Sequence, residues 1–390
     1  MAMDISADTA QGARIKIIGV GGGGGNAVQN MINSKLEGVT FVCANTDMQA
    51  LLRITGSEQL QIGVQTTNGL GCGAKPEVGR QSAEENLSDI EKVLADTEMV
   101  FITAGMGGGT GTGAAPVIAK AAKEKGILTV GVVTKPFKWE GKHRMDAALK
   151  GIEDLRKEVD SLVVIPNDRL LAIGPKKSKL LEMFQKADDV LFDAVRGITD
   201  LITKPGLINA DFNDLRTVMG NKGMALMGVG RAKGEDRALE AARNAITNPL
   251  LDEISIKGCK AVLVNVTTNG DLLTEEWIAA GEFIQNEARG PNGEEPLVVP
   301  AMALDMDMED DEIRISVVAT GIEPSKTQAE AAMAAPKDSA ASRPAEHKQR
   351  TAGGILERLG QQQQSHGAGN FTFEEDKDSD IPAFMRKQQQ

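Results

Sequence analysis

Short apolar runs alternate with helically spaced apolar positions through the first half of this chain. Residues 15–20, 40–43, 98–103, 128–134 and 162–165 are compact apolar runs that predict strands. Between them, a 3.6-residue period predicts helices over 26–33, 77–94, 114–125 and 144–159. Such alternation implies a mostly parallel sheet covered on both faces. A longer amphipathic stretch, 179–203, predicts one long helix that stops at Lys204-Pro205-Gly206, where proline and glycine cannot continue it. Beyond it, 223–230, 261–267, 296–301 and 312–319 read as strands, and 236–247 and 275–286 as helices. The fold class expected is α/β: a Rossmann-like parallel-sheet domain over 13–178, a long central helix over 179–203, and a second, smaller α+β domain over 204–320. Residues 1–12 are expected to be flexible.

After residue 320 the pattern ends. Ala, Ser, Gln, Lys and Glu dominate, and so little apolar surface does not offset the entropy of ordering, so 321–378 is expected to be a disordered linker. The last segment, 379–390, turns apolar and basic again through Asp380, Ile381, Pro382, Phe384, Met385, Arg386 and Lys387. It is too short to fold alone and suits docking into a partner's groove.

Two glycine-rich turns interrupt the pattern where strands hand over to helices. The first is Gly19-Val20-Gly21-Gly22-Gly23-Gly24-Gly25-Asn26, and the second is Gly107-Gly108-Gly109-Thr110-Gly111-Thr112-Gly113. Glycine lets backbone N–H groups converge, and a following helix adds the positive end of its dipole, an arrangement suited to a polyphosphate. Thr110 and Thr112 offer hydroxyl donors to the same anion. A flexible linker does not fit, because each run sits between a buried strand and a helix. Gly19, Gly21 and Gly24 match the dinucleotide fingerprint, so an NAD-dependent oxidoreductase is the rival reading. It leaves the second glycine turn unexplained, and no histidine is placed for hydride-transfer chemistry: His347 and His366 lie in the tail and His143 in a basic patch. Neither run ends in Gly-Lys-Ser/Thr, so the Walker motif is excluded as well.

Composition narrows the setting. Aromatic residues make up 3% of the chain and Tyr is absent, so aliphatic side chains and 16 Met must fill the core. A net charge of −12 argues against nucleic acid or an anionic membrane surface as partner. Cys43, Cys72 and Cys259 have no metal-site spacing and suit a reducing compartment. Without a signal core or a membrane-length apolar run, a cytoplasmic protein is expected.

Taken together, the glycine runs, Ala44-Asn45-Thr46-Asp47, Asn167-Asp168-Arg169-Leu170-Leu171 and Asn209-Ala210-Asp211-Phe212-Asn213-Asp214 resemble the tubulin/FtsZ family of GTPases, over residues 13–320 plus the terminal peptide. Cys72 and Lys75 depart from it, standing where the family has a small residue and an amide. The resemblance implies a GTP/GDP-binding protein of bacterial division. Gly22, Gly23, Gly24, Gly25, Asn26, Gly105 and residues 107–113 would cradle the phosphates. Asn45 and Asp47 would lie near the phosphate-bound ion, and Glu140, Arg144 and Asn167 near the ribose and phosphates. Phe184 would stack on the base, with Asp188 accepting from it. Guanine's N1–H and N2–H₂ donors suit a carboxylate, whereas the unprotonated N1 of adenine repels it. Read alone, Phe184 is a core aromatic and Asp188 a solvated charge. Mg²⁺ would be held mainly by phosphates and water, with a monovalent cation such as K⁺ compatible.

Asp211 and Asp214 lie three apart just after a Pro-Gly break, on one face of a first helical turn. They read either as a capping box or, with Asn209, as the group that polarises an attacking water. A straight 179–203 helix is roughly 35 Å long at 1.5 Å per residue, so one chain would hold the two halves of the site apart. The resemblance implies that the loop enters the pocket of the next copy, a head-to-tail contact that does not close and so builds filaments. Those filaments would form the division ring at midcell beneath the inner membrane, tethered by adaptor proteins that bind the terminal peptide. A filament protein that binds GTP without hydrolysing it is the structural alternative.

Overall fold

The parallel strands are apolar on both sides, and that is what places helices on both faces of the sheet. The computed structural model describes residues 13–173, 179–204, 206–208, 210–221, 223–248 and 255–322. The N-terminal segment 1–12, Asn209 and the expected linker and terminal peptide from residue 323 onward lie outside these residues, whereas Gly321 and Ile322, expected to open the linker, end the last strand. In chain order the first elements are β1 (Ile15–Val20), α1 (Gly21–Asn33), β2 (Val39–Asn45), α2 (Met48–Leu52), β3 (Glu58–Gln61), α3 (Val64–Thr67), α4 (Pro76–Glu85), α5 (Leu87–Val93), β4 (Met99–Gly105), α6 (Thr110–Glu124) and β5 (Leu128–Lys135). Then come α7 (Lys142–Glu158), β6 (Ser161–Pro166), α8 (Asn167–Ile173), α9 (Leu180–Thr203), β7 (Gly206–Ile208), α10 (Phe212–Met219), β8 (Gly223–Lys233), α11 (Arg237–Ile246), β9 (Ala261–Thr268), α12 (Thr274–Ala288), β10 (Leu297–Leu304) and β11 (Glu312–Ile322).

The strands form one sheet in the order β3-β2-β1-β4-β5-β6-β8-β11-β9-β10-β7. Strands β1 to β6 are parallel, as the alternation predicts. The expected second domain is joined edge-on: β6 pairs in parallel with the start of β8 at Ser161↔Gly223, Leu162↔Met224 and Val163↔Ala225. The α+β half then follows with antiparallel β8–β11 and β11–β9 pairs.

Helix α9 has a narrow apolar stripe at Met183, Ala187, Leu191, Ala194, Ile198 and Leu201, all buried at helical spacing. From Leu191 onward this stripe joins a core that draws on β1, β4, β5 and β6 from one half and on α10, β8 and β9 from the other. The opposite face of the parallel half is closed by α4 to α7, and that of the second half by α11 and α12. The polar end of α9 is held by ions: buried Asp200 pairs with Arg196, Lys204 and Arg314, and Asp305 joins the same group.

Several boundaries differ from the sequence reading for physical reasons. Helix α1 begins at Gly21 rather than residue 26, and α6 at Thr110 rather than 114. Glycine disfavours a helix interior by about 1 kcal/mol per residue, so propensity hides both starts. Contact restores them: a Cβ on Gly24 would run into the Thr103 carbonyl, and one on Gly23 would crowd Gly105 at 3.2 Å. The expected 77–94 helix is two helices broken at Asn86, whose side chain accepts from Gly63 N–H at 2.8 Å and donates to Asp89. The polar edge strand β3 shows no period, since only Leu60 of its four residues is buried.

Candidate nucleotide site and acidic loop

At the carboxyl ends of β1 and β4, two helix N-termini abut. Gly21 has φ +71°, and a Cβ there would lie 2.9 Å from the Gly111 nitrogen. The first turns of α1 and α6 therefore bring their unpaired N–H groups to one place. The glycines divide into two kinds. Gly24, Gly109 and Gly113 are required by packing: a Cβ would meet Thr103, Cys72 and Pro76 respectively. Gly22 and Gly108 have nothing within 4 Å, so their faces are open to a ligand. Gly24→Ala is therefore expected to lower stability by about 2 kcal/mol or more. Gly108→Ala should melt like the parent but bind nucleotide more weakly. Thermal melts paired with a binding assay check both.

Thr112 is buried, its Oγ1 accepts from Gly107 N–H at 2.9 Å, and its methyl faces Gly151. It shapes the loop and keeps its own hydroxyl proton to donate. Arg144 covers Gly107 with its backbone, and its guanidinium lies 3.2 Å from Glu140. The Glu140 carboxylate also accepts from Phe137 N–H at 2.8 Å. Asp47 caps α2 by accepting from Gln49 and Ala50, and Asn45 accepts from Asp47 N–H. Asn167 opens α8 with its Oδ1 buried and unpaired, an acceptor waiting for a donor.

Phe184, on the first turns of α9, is 39% exposed and stands edge-on to two rings absent from the sequence reading. Phe137 lies 5.7 Å from it at 87°, and Trp139 6.2 Å at 80°, while Phe137 and Trp139 stack at 5.2 Å. Their signal was the aromatic pair flanking a lysine just ahead of Glu140, in a chain so poor in aromatics. One turn beyond Phe184 is Asp188. Burial, with Asp189 beside it, pushes its carboxyl from 3.8 up to about 7.

The acidic loop sits elsewhere. Asp211 Oδ1 accepts from Asp214 N–H at 2.8 Å and Asp214 Oδ2 from Asp211 N–H at 3.1 Å, a reciprocal capping box at the start of α10. Helix α10 ends at the amino end of β6, where Ser161 Oγ donates to the Met219 carbonyl. Likewise α9 ends against Gly38, just ahead of β2, where a Cβ would crowd Thr203. The glycine turns occupy the opposite, carboxyl edge of the same parallel sheet, after β1 and β4. Helix α9, about 36 Å long, separates the two groups of residues.

Comparison with known proteins decides the lineage. Residues 14–175 match the family model described as Tubulin/FtsZ family, GTPase domain, and residues 223–323 match FtsZ family, C-terminal domain. The chain belongs to the FtsZ family. It is 49% identical to the cell division protein FtsZ of Pseudomonas aeruginosa, over 97% of this chain and 98% of that one. Among solved structures it resembles an empty FtsZ dimer of M. jannaschii, with TM-score 0.74, 41% identity, and 80% and 89% of the two chains covered. A GTPγS-bound protofilament of CetZ2 from Haloferax volcanii, 21% identical, has TM-score 0.69 over 81% and 96% and shares the fold. The protein is thus a tubulin-type cell-division GTPase that binds GTP and GDP. No helix among the described residues is long and apolar enough to cross a membrane.

Proposed function

We propose that the chain polymerises head to tail and hydrolyses GTP at the seam between two copies. The observation that carries this is the separation along α9: the glycine turns and Phe184 lie at one pole, Asp211 and Asp214 at the other. Exposed apolar residues accompany both groups. Leu70, 82% exposed, borders the glycine turns, and Leu207, 78% exposed, precedes the acidic loop. A polymer contact covers both and leaves unsatisfied surface at each end.

In this reading the open faces of Gly22 and Gly108 admit the phosphates. The base stacks on Phe184, and Asp188 accepts from guanine N1–H and N2–H₂. A ribose hydroxyl supplies the donor that Asn167 Oδ1 lacks. Asp211 and Asp214 of the next copy, with Asn209, orient and deprotonate the water that attacks the γ-phosphoryl group. Mg²⁺ would be held mainly by phosphates and water, near Asp47. The ion would neutralise phosphate charge, and K⁺ is the monovalent cation to test beside it. The terminal peptide, Asp380 to Lys387, would dock adaptor proteins that tether the ring beneath the membrane at midcell. A linker of this composition reaches roughly 40 Å as a flexible coil.

Specific GTPase activity should rise steeply with protein concentration before levelling off, as measured by phosphate release across a dilution series. A rate per molecule that ignores dilution would count against a shared site.

Asp188 adds a pH signature. Its free-state carboxyl titrates near 7, and guanine's donors favour the carboxylate, so binding expels a proton below that pH. GDP affinity should rise about eightfold from pH 6 to 7.5 and then flatten, by calorimetry at each pH. The same raised pKa favours the fold at low pH, and that contribution is lost as pH climbs from 3.8 through 7. An affinity independent of pH contradicts the Asp188 contact.

A further inference from the structure

Thr46, directly after β2, is fully buried, yet it touches both loops of the phosphate cradle. Its Oγ1 lies 2.7 Å from Thr110 Oγ1 and 3.3 Å from Cys72 Sγ, and Thr110 donates to the same sulfur at 3.4 Å. The Thr46 carbonyl accepts from Gly71 N–H and from the Thr67 hydroxyl, each at 3.3 Å. One residue thereby ties the loop carrying Cys72 to the first residue of α6.

Each of these three side chains owns one proton. The Thr110 proton is aimed at Cys72. The 2.7 Å contact must then use the Thr46 proton, with Thr46 donating to the Thr110 oxygen. The thiol is left to donate to Thr46, which closes the ring. Its links are unequal, because thiol sulfur is a weak acceptor while the hydroxyl pair is short and strong.

We propose that Thr46 is a positioning residue for the triphosphate: its donated proton holds Thr110 so that Thr110's own proton can turn from Cys72 to a phosphate oxygen. The inference rests on reading residues 105–113 as the phosphate cradle. When phosphate arrives, a weak O–H···S contact is exchanged for a charge-assisted O–H···O⁻ bond. The Thr46 bond persists through the exchange and polarises the Thr110 hydroxyl toward the anion. Sulfur gives up its donor at little penalty. Cys72 thus acts as a releasable parking place, and a serine there would compete harder for the proton.

The test is equilibrium binding of GTP, below the concentration at which the chain assembles, with a thermal melt of each variant. Thr46→Val, nearly isosteric, is expected to bind about tenfold more weakly, and Thr46→Ser within about twofold of the parent. Cys72→Ser should weaken binding about threefold, while Cys72→Ala stays near the parent, a difference that loop packing alone does not produce. A folded Thr46→Val that binds like the parent overturns the proposal. Should that variant fail to fold, equal affinities for the Cys72→Ser and Cys72→Ala proteins overturn it. If the unmodified chain binds no GTP, the cradle reading falls first and on its own.

Discussion

Asp214→Ala is expected to slow GTP turnover by about 10²-fold or more while GTP binding and assembly stay within twofold of the parent. The capping box makes this discriminating. Asp214 N–H still reaches Asp211 Oδ1 after the substitution, and only the reverse bond, from Asp211 N–H to Asp214 Oδ2, is lost. A purely structural pair therefore predicts a small loss, about 0.5–1 kcal/mol in a melt, and unchanged turnover. Mixing sharpens the test. A Gly108→Asp subunit keeps its acidic loop but carries a negative charge where phosphate must sit. Alone, Gly108→Asp should release no phosphate and Asp214→Ala should release it only at its slowed rate. Together they should release it faster, because the intact loop of one faces the intact pocket of the other. No gain in the mixture, with both variants folded and co-assembling, would refute the shared site.

Asp188→Asn is expected to weaken GTP binding by about 10²-fold and to favour xanthosine triphosphate instead. Guanine offers two adjacent donors to the carboxylate. An amide keeps one acceptor, so it still receives N1–H, but its NH₂ now meets the guanine amino group donor to donor. Xanthine carries a carbonyl at that position, which the amide satisfies. Competition binding with the two triphosphates reads the exchange. Equal losses for both would mean that Asp188 supports the fold and does not read the base, leaving Phe184 to hold the base by stacking.

Much of this architecture is legible from residue order. Strands β1, β4, β5 and β6 are short apolar runs whose period needs no partner to be seen, and α9 advertises its length by one stripe from Met183 to Leu201. The two glycine runs signal a close backbone approach wherever they fold. Other features carry no local signal. Asn86 breaks a helix because Gly63 N–H, far back in the chain, claims its side chain. Thr112 looks like Thr110 in sequence, yet the fold turns it inward to bond Gly107.

Residue order by itself determined the alternating α/β plan, the long central helix, the phosphate-suited turns and the resemblance to the tubulin/FtsZ family, because periodicity and glycine content act over a few neighbouring residues. Tertiary structure alone decided that α1 starts inside its glycines, which of those glycines face open space, that Phe137 and Trp139 brace Phe184, and that Thr46 bridges two loops. Each of these depends on contacts between segments distant in the chain, whose energies exceed local propensity and leave no mark on the residues in between.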